Sequence, residues 1–430
     1  MIHKAAEILS GTASWFDVIE ISSVTTPLTF KNNRLHSITE RQNSGYGLRA
    51  NVSGKTGFSY TNNRDRVAVT AKRALELAGY GEPDSFTIPE KAEADFEPAS
   101  DDINKFSPPD EIGSCENTIA RILDRFPEST VDMSVSASSG SMRIVNSRGM
   151  DSGYRSTSFS VSLSLTLIQD DGSRLGVWES RTSLSPGDHR DLAEKVMLRT
   201  EQALRIQSVP SGKIPVIMTP RAFARLLGIV GSGLNARSVY RGISPFADKP
   251  GEKIFSTAFS LSDDPRLPDS PFSFPFDDEG VTSVRKNLIQ GGTIKTFITD
   301  LRNAEKTGLE YSGNASRGYA SLPYPSFSTV TVAPGHIPYK SMLRGIKKGI
   351  LVEQFIGLGQ SNTLTGDFSA SLDLAYLVEN GEITGRVKDC MISDNFFSLL
   401  AGEMELSSEI ETVGSVCAPY VLFPSVHYTG

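Results

Sequence analysis

The chain has few cysteines, and they are too scattered for a disulfide framework or a zinc ribbon. Among 430 residues there are three, Cys115, Cys390 and Cys417, and no two of them form a CxxC motif. An odd number of distant thiols argues against the disulfide scaffold of a small secreted domain. We therefore expect buried, unpaired thiols in a reducing compartment.

Histidine is also sparse, which excludes a contiguous zinc-hydrolase motif. The five histidines are His3, His36, His189, His336 and His427, and no two are close in sequence. A helical zinc site needs two imidazoles about one turn apart, with a carboxylate beside them to activate water. A zinc site could therefore be built only from ligands that are distant in sequence.

Charge and hydrophobicity exclude two further classes of protein. The chain has 43 Lys+Arg against 50 Asp+Glu, a net charge of -7, which argues against coating nucleic acid or anionic lipid. The longest nearly uninterrupted apolar run, Leu226 to Leu234, is far shorter than the roughly 20 residues of a membrane span.

The first residues carry Glu7 where a signal peptide needs an apolar stretch. The sequence thus predicts a soluble cytoplasmic protein.

The chain up to residue 210 is predicted to contain two similar α+β units joined by a linker. Residues 1–81 show a short helix, closely spaced strands and a second helix. Residues 82–110 are rich in Pro, Asp, Glu and Ser, as in a linker or an extended arm. Residues 111–210 then repeat the order of helix, strands and helix, with strands at 131–136 and 142–146. Period and element order indicate a duplicated unit.

From residue 211 to 430 the pattern changes to a β-rich domain. Ile214–Met218 reads as a strand, and Pro220 stands where a helix begins, since its missing N–H costs nothing there. That helix is expected to end at Gly231-Ser232-Gly233, and many Gly and Pro turns follow. The predicted fold class is α+β, with duplicated strand-rich N-terminal units followed by a mainly antiparallel β domain.

Two acidic loops are the local candidates for chemistry. One contains Asp277, Asp278 and Glu279, and the other contains Asp367. Paired carboxylates can perform acid–base catalysis or bind a hard cation. More often such loops are Asx-turns and caps that satisfy local backbone donors. Phosphate-binding loops of the GxxxxGK[ST] type and GxSxG nucleophile motifs are absent from the sequence.

Several short motifs, in a consistent order along the chain, resemble those of the TldD/PmbA family. Residues 273–281 are similar to its "SPFDDEG" signature, and residues 238–241 to the "LYR" segment of its PmbA branch. Residues 365–369 and 378–383 follow in the family's order. Residues 45–49 and 57–61 resemble its N-terminal "GLGVRV…GFAST" hairpin.

The resemblance implies a two-component cytosolic metallopeptidase system, once labelled modulator of DNA gyrase, that acts on small or unfolded peptides. The TldD member carries H-E-x-x-x-H on a helix and a C-terminal cysteine as zinc ligands. In this chain Leu227, Gly228 and Ser232 occupy the motif positions, and Cys417 stands near the cysteine's place as a relic. The resemblance therefore implies a PmbA/TldE-type member with no catalytic residues and no cofactor of its own, zinc being held by a TldD-type partner.

The implied partners are a TldD-like subunit in a heterodimer, or a second copy in its absence, and a peptide substrate, without membrane or direct nucleic-acid contact. Strand edges would bind an extended peptide main chain, and Gly357-Leu358-Gly359-Gln360 would allow close backbone approach. The expected groove residues are Tyr240, Arg241, Asp277, Asp278, Glu279, Gly280, Gly366, Asp367 and Ser369. Two alternatives stay open: a stand-alone hydrolase that uses the acidic loops with a cation, and a protein-binding modulator without catalysis.

Overall fold

The fold was analysed in a computed structural model that describes residues 1–358, 362 and 364–430. The N-terminal half comprises α1 (Ile2–Ser10), β1 (Trp15–Lys31), β2 (Arg34–Ile38), β3 (Arg41–Val52), β4 (Lys55–Thr61), α2 (Val67–Ala78), α3 (Pro108–Arg125), β5 (Thr130–Asn146), β6 (Asp151–Ile168), β7 (Arg174–Ser183) and α4 (Arg190–Ala203). Gly359 and Gln360, in the predicted Gly-rich strand end, lie outside the described residues.

The C-terminal half is longer and richer in short strands. It comprises β8 (Ile206–Gln207), β9 (Gly212–Met218), α5 (Pro220–Gly233), α6 (Ala236–Tyr240), β10 (Leu261–Asp263), β11 (Lys286–Gln290), β12 (Thr293–Ile294), α7 (Leu301–Thr307), β13 (Ala315–Ser316), β14 (Tyr324–Pro325), β15 (Val330–Val332), α8 (Tyr339–Gly345), β16 (Lys348–Ile356), β17 (Asp367–Glu379), β18 (Glu382–Val387), β19 (Met391–Asn395), α9 (Phe396–Ala401), β20 (Glu405–Val413) and β21 (Val416–Thr429). The predicted α+β class is confirmed.

The strands of both N-terminal units form one antiparallel sheet. Its order is β4-β3-β1-β5-β6-β7, and β2 pairs with β1. The order is symmetric about the central β1–β5 pair, as expected if the unit is duplicated. The strands predicted at 131–136 and 142–146 are instead one strand, β5, because residues 137–141 are paired with β1 on one side and β6 on the other. The predicted domain boundaries themselves stay predictions.

The segment between α2 and α3 packs against both halves of the molecule. Phe86 and Ile88 are buried against Leu301 of the C-terminal half. Asp84 is paired with Arg302 at 2.5 Å. The segment predicted as a linker or an arm is therefore an ordered connection that packs against both halves.

A twelve-stranded, mainly antiparallel sheet organises the C-terminal half. Most neighbours are antiparallel, and the parallel pairs are β9–β16, β15–β21 and β8–β18. One face packs against α5 through residues such as Phe223 and Leu226. The other face contributes Leu351 and Tyr376 to a core shared with the N-terminal sheet and α4. The C-terminal sheet thus lies between α5 and the N-terminal half.

Helix α5 begins and ends where the sequence predicted. Pro220 is its first residue, and the Thr219 hydroxyl caps it by accepting the N–H of Ala222. The helix continues through Gly231 and Ser232 to Gly233, where a methyl group would lie 2.5 Å from the Phe246 ring. The helix therefore ends within the predicted Gly231-Ser232-Gly233 segment, whose glycines also make room for aromatic rings.

The described helices include none that combines the length and apolarity required to cross a membrane.

Candidate functional site

The first acidic loop folds as an Asx-turn. Oδ1 of Asp277 accepts the N–H groups of Glu279 and Val281 at 2.9 Å each, and Oδ2 accepts the N–H of Ala315 at 2.9 Å. Burial, followed by the nearby Glu279 carboxylate, raises the pKa of Asp277 to about 8, against the three backbone donors. The carboxyl group of Asp277 is therefore used to hold its own loop.

Glu279 joins this loop to the N-terminal sheet. Its Oε1 accepts from Arg49 Nη1 at 2.6 Å, and its Oε2 accepts the N–H of Leu301 at 2.7 Å. Arg49 also binds Asp17, which faces it across the β1–β3 pair. Arg317 Nη1 donates to the same Asp17 at 3.0 Å. These side chains form a buried chain of alternating charges between the two halves.

The charges in this chain stabilise one another. Burial acts to raise the pKa of Asp17, but the adjacent Arg317 and Arg49 outweigh it, so that the pKa is lowered. Burial acts to lower the pKa of Arg49, but Asp17 and Glu279 outweigh it, so that the pKa is raised. Both groups therefore stay ionised, as buried ions do only when they are paired and hydrogen-bonded.

Asp278 and Gly280 complete the contact. Oδ2 of Asp278 accepts the N–H of Arg317 at 2.7 Å, and burial raises its pKa to about 6. Gly280 has a φ of 84°, and a methyl group there would lie 2.5 Å from Met150 Sδ of the N-terminal half. The geometry of the loop favours turn formation and docking over an open cation site. Substrate contact by Asp277, Asp278 and Glu279 stays a prediction.

The second acidic loop, in contrast, lies on the surface. Asp367 is exposed; its Oδ2 accepts from Thr365 Oγ1 at 2.7 Å and its Oδ1 from Asn395 Nδ2 at 2.9 Å. These two bonds, that of Asn395 first, lower its pKa, so the group is ionised at neutral pH. Ser369 is exposed two residues further along β17, paired with Ser393 of β19. Asp367 and Ser369 are thus both exposed on the same strand, and their contact with a substrate stays a prediction.

Tyr240 and Arg241, at the end of α6, are also exposed. The ammonium group of Lys306 lies 4.7 Å from the centre of the Tyr240 ring. The same ammonium group donates to the Tyr240 hydroxyl at 3.5 Å, so that Lys306 holds the half-exposed ring in place.

Aromatic packing connects these two exposed segments near the end of α5. The Phe246 ring covers Gly233, the last residue of α5, and lies 5.1 Å from the Phe397 ring. Phe397 in turn covers Gly366, whose φ is 83° and where a methyl group would lie 2.5 Å from that ring. The segments containing Tyr240 and Asp367 are therefore linked through Phe246 and Phe397.

The helix positions that correspond to the zinc motif offer no metal ligand. Leu227 is only 5% exposed and packs in the core, Gly228 has no side chain, and Ser232 Oγ donates to the carbonyl of Ile229 at 2.8 Å. Cys417 is buried on β21 with its Sγ 3.4 Å from Thr412 Oγ1. Because α5 offers neither an imidazole nor a carboxylate at these positions, the Cys417 thiol alone does not fit a catalytic zinc ion.

Sequence reasoning missed two groups of residues. The first is Asp17, Arg49 and Arg317, of which only Arg49 fell inside a recognised motif. The second is Glu111, Cys115 and His189, the group of potential metal ligands found among the described residues, with ligand atoms within 4.8 Å of one another. The four-residue spacing of Glu111 and Cys115 was visible in the sequence, but nothing there linked them to His189.

Three domain models of one family together match most of the chain. The descriptions are PmbA/TldA metallopeptidase domain 1 for residues 16–78, the central domain for residues 98–205 and the C-terminal domain for residues 211–430. Together these matches reach from β1 to the last residue, across both halves described above.

Full-length relatives agree with the family match. An uncharacterised protein of Methanocaldococcus jannaschii is 27% identical over 95% of this chain and 94% of its own. Metalloprotease PmbA of Escherichia coli O157:H7 is 23% identical over 100% of this chain and 95% of its own. The crystal structure of TldE from Thermococcus kodakarensis has a TM-score of 0.91 at 21% identity, covering 100% of this chain and 99% of that one, and shows the same fold.

Proposed function

The chain belongs to the PmbA/TldD family of metallopeptidases, and we propose that it is a TldE-type subunit that lacks the catalytic zinc. In this proposal a TldD-like subunit supplies the zinc, and the two together enclose a chamber for peptides. The function of the pair is the proteolysis or maturation of small or unfolded peptides. The membership supports a role in proteolysis, and the division of labour is the proposed part.

The observation that carries the proposal is the composition of α5. A catalytic zinc ion normally keeps three protein ligands and one open position for water. Helix α5 has Leu227 packed in the core and Gly228 without a side chain where the family motif has its first histidine and its glutamate. The helix thus serves as a packing element, and we infer that the catalytic metal comes from another chain.

We propose that the exposed motif residues line the substrate groove. Tyr240, Arg241, Asp367 and Ser369 are exposed and lie in segments that are linked by Phe246 and Phe397 near the end of α5, whereas Gly366 is buried beneath Phe397. An ionised carboxylate and a guanidinium on such a surface can bind the two termini of a short peptide. Strand edges would bind its main chain without regard to sequence.

The proposal is tested by identifying the protein that co-purifies with the chain. The tagged chain, expressed in its own cells, is expected to retain a TldD-like protein in a one-to-one complex, measured by light scattering after size exclusion. When the TldD-like protein is removed, we expect a homodimer, because the proposed β interface would otherwise be exposed. Recovery of the chain as a monomer, without such a partner, would contradict the proposal. Recovery with gyrase in place of a TldD-like protein would support the modulator alternative.

A further inference from the structure

Three potential metal ligands converge where α3 packs beside the start of α4. Glu111 and Cys115 lie four residues apart and therefore on one face of α3. His189 immediately precedes α4 and points back to this face. Its Nε2 lies 2.9 Å from Glu111 Oε1, and Cys115 Sγ lies 3.8 Å from the same oxygen. The three ligand atoms are within 4.8 Å of one another.

The imidazole of His189 lacks the hydrogen bonds that its burial demands. The side chain is 0% exposed, and its Nδ1 has no hydrogen-bond partner among the described residues. Its Nε2 is close to Glu111 Oε1, but the contact lacks the alignment of a hydrogen bond. Buried polar atoms are nearly always paired, so this histidine needs an explanation. Both ring nitrogens of His189 are therefore available to a ligand, while the Cys115 thiol donates to Glu111 Oε1 at 3.8 Å in the absence of metal.

The ring is also held in place. It stacks on Phe159, with the ring centres 6.3 Å apart and the planes 12° from parallel. Two exposed ion pairs, Arg121–Glu194 and Arg125–Glu201, further join α3 to α4. The ligand atoms are therefore carried by a fixed frame, as a metal site requires.

We propose that Glu111, Cys115 and His189 bind one zinc ion, with water as the fourth ligand. A set of one sulfur, one nitrogen and one oxygen suits zinc, whereas Mg²⁺ and Ca²⁺ take oxygen ligands. Zinc bonds of about 2.0–2.3 Å place tetrahedral ligands roughly 3–4 Å apart. The distances of 2.9 Å and 3.8 Å from Glu111 Oε1 to the other two ligand atoms agree with this spacing. An open cavity of about 600 Å³ lies nearby and is lined by Ser114 and Asp188, the neighbours in sequence of Cys115 and His189.

The ion has a structural effect in this proposal. Without metal, burial and then Glu111 raise the pKa of the Cys115 thiol to about 12, so binding releases the thiol proton. The bound ion then ties α3 to the segment before α4 and stabilises the N-terminal half. This site is separate from α5, and the inference does not depend on the proposed function.

The experiment uses the metal-stripped full chain and Zn²⁺ alone. After dialysis we expect one zinc per chain by elemental mass spectrometry, and a higher melting temperature with zinc than without. Replacement by Co²⁺ should give the near-ultraviolet band of a cobalt–thiolate bond. Cys115→Ser should lose the zinc, the band and the shift in melting temperature. Cys390→Ser and Cys417→Ser, which remove the other two buried thiols, should retain all three.

Glu111→Gln provides a second variant in case Cys115→Ser does not fold, because Glu111 is partly exposed and the amide keeps its shape. It should bind zinc at least tenfold more weakly than the wild type. A wild-type chain that binds no stoichiometric zinc would overturn the proposal. Zinc retained by folded Cys115→Ser, or lost instead from Cys417→Ser, would also overturn it.

Discussion

The guanidinium group of Arg49 lies 2.6 Å from Oε1 of Glu279, although the two residues are 230 positions apart in the chain. This contact places the acidic motif of the C-terminal half against the N-terminal sheet. The motif residues therefore fall into two sets. Asp277 and Glu279 are buried, whereas others, such as Tyr240 and Asp367, lie on the surface. The two sets should respond differently to mutation.

Loss of the buried carboxylate should strongly destabilise the protein. Glu279→Ala leaves Arg49 buried without one of its partners, and breaking such a pair typically costs about 3–5 kcal/mol. Glu194→Ala removes an exposed partner of Arg121 and should cost at most about 1 kcal/mol. The free energy of unfolding in urea measures both values. Equal costs for the two variants would show that the buried chain of charges does not hold the halves together.

The contribution of Asp278 to the stability of the protein should fall as the pH rises from about 4 to about 6. Burial raises the folded-state pKa of Asp278 from 3.8 to about 6. In this window the folded state keeps a proton that the unfolded state has lost, so the free energy of unfolding decreases with pH. Asp278→Asn should make this slope shallower, while Asp277 and Asp300, whose pKa values are raised to about 8 and about 6, retain part of it. The exposed Asp124→Asn should leave the slope unchanged. A slope unaffected by Asp278→Asn would contradict this assignment.

Gly366→Ala should lower the free energy of unfolding by more than the backbone strain of a left-handed alanine alone. Gly366 and Gly149 have φ of 83° and 90°, so alanine at either position costs about 1 kcal/mol in backbone strain. Only at Gly366 does the added methyl group meet a ring, that of Phe397, and overpacking adds about 1–3 kcal/mol. Urea unfolding of both variants isolates the difference. Equal losses of stability would mean that Phe397 moves aside without cost.

Variants of the exposed motif residues should reduce peptide hydrolysis by the assembled pair and leave stability unchanged. Tyr240→Ala and Asp367→Asn each remove a surface group from the proposed groove, and we expect at least a tenfold loss in kcat/KM. Tyr80→Ala is the control, because Tyr80 is 90% exposed and belongs to none of the family motifs. Full activity in both groove variants, with the pair still assembled, would place the groove elsewhere.

Local signals predicted the elements well, but not the contacts between distant residues. Pro220 marked the start of α5 because the preference of proline for the first helical turn is a local effect. In contrast, β5 was predicted as two strands, since its polar middle is held by neighbours that no local pattern reveals. The contact between Arg49 and Glu279 and the approach of His189 to Cys115 were missed for the same reason. Each depends on the relative placement of segments far apart in sequence.

The most direct test of the central claim is a peptidase assay on an unfolded protein such as casein, with the purified chain, a TldD-like subunit and their mixture. The account predicts no hydrolysis by the chain alone, even when it is loaded with zinc, and hydrolysis by the mixture that a metal chelator abolishes. Hydrolysis by the chain alone, lost in its Asp278→Ala variant, would contradict the account and support a stand-alone hydrolase.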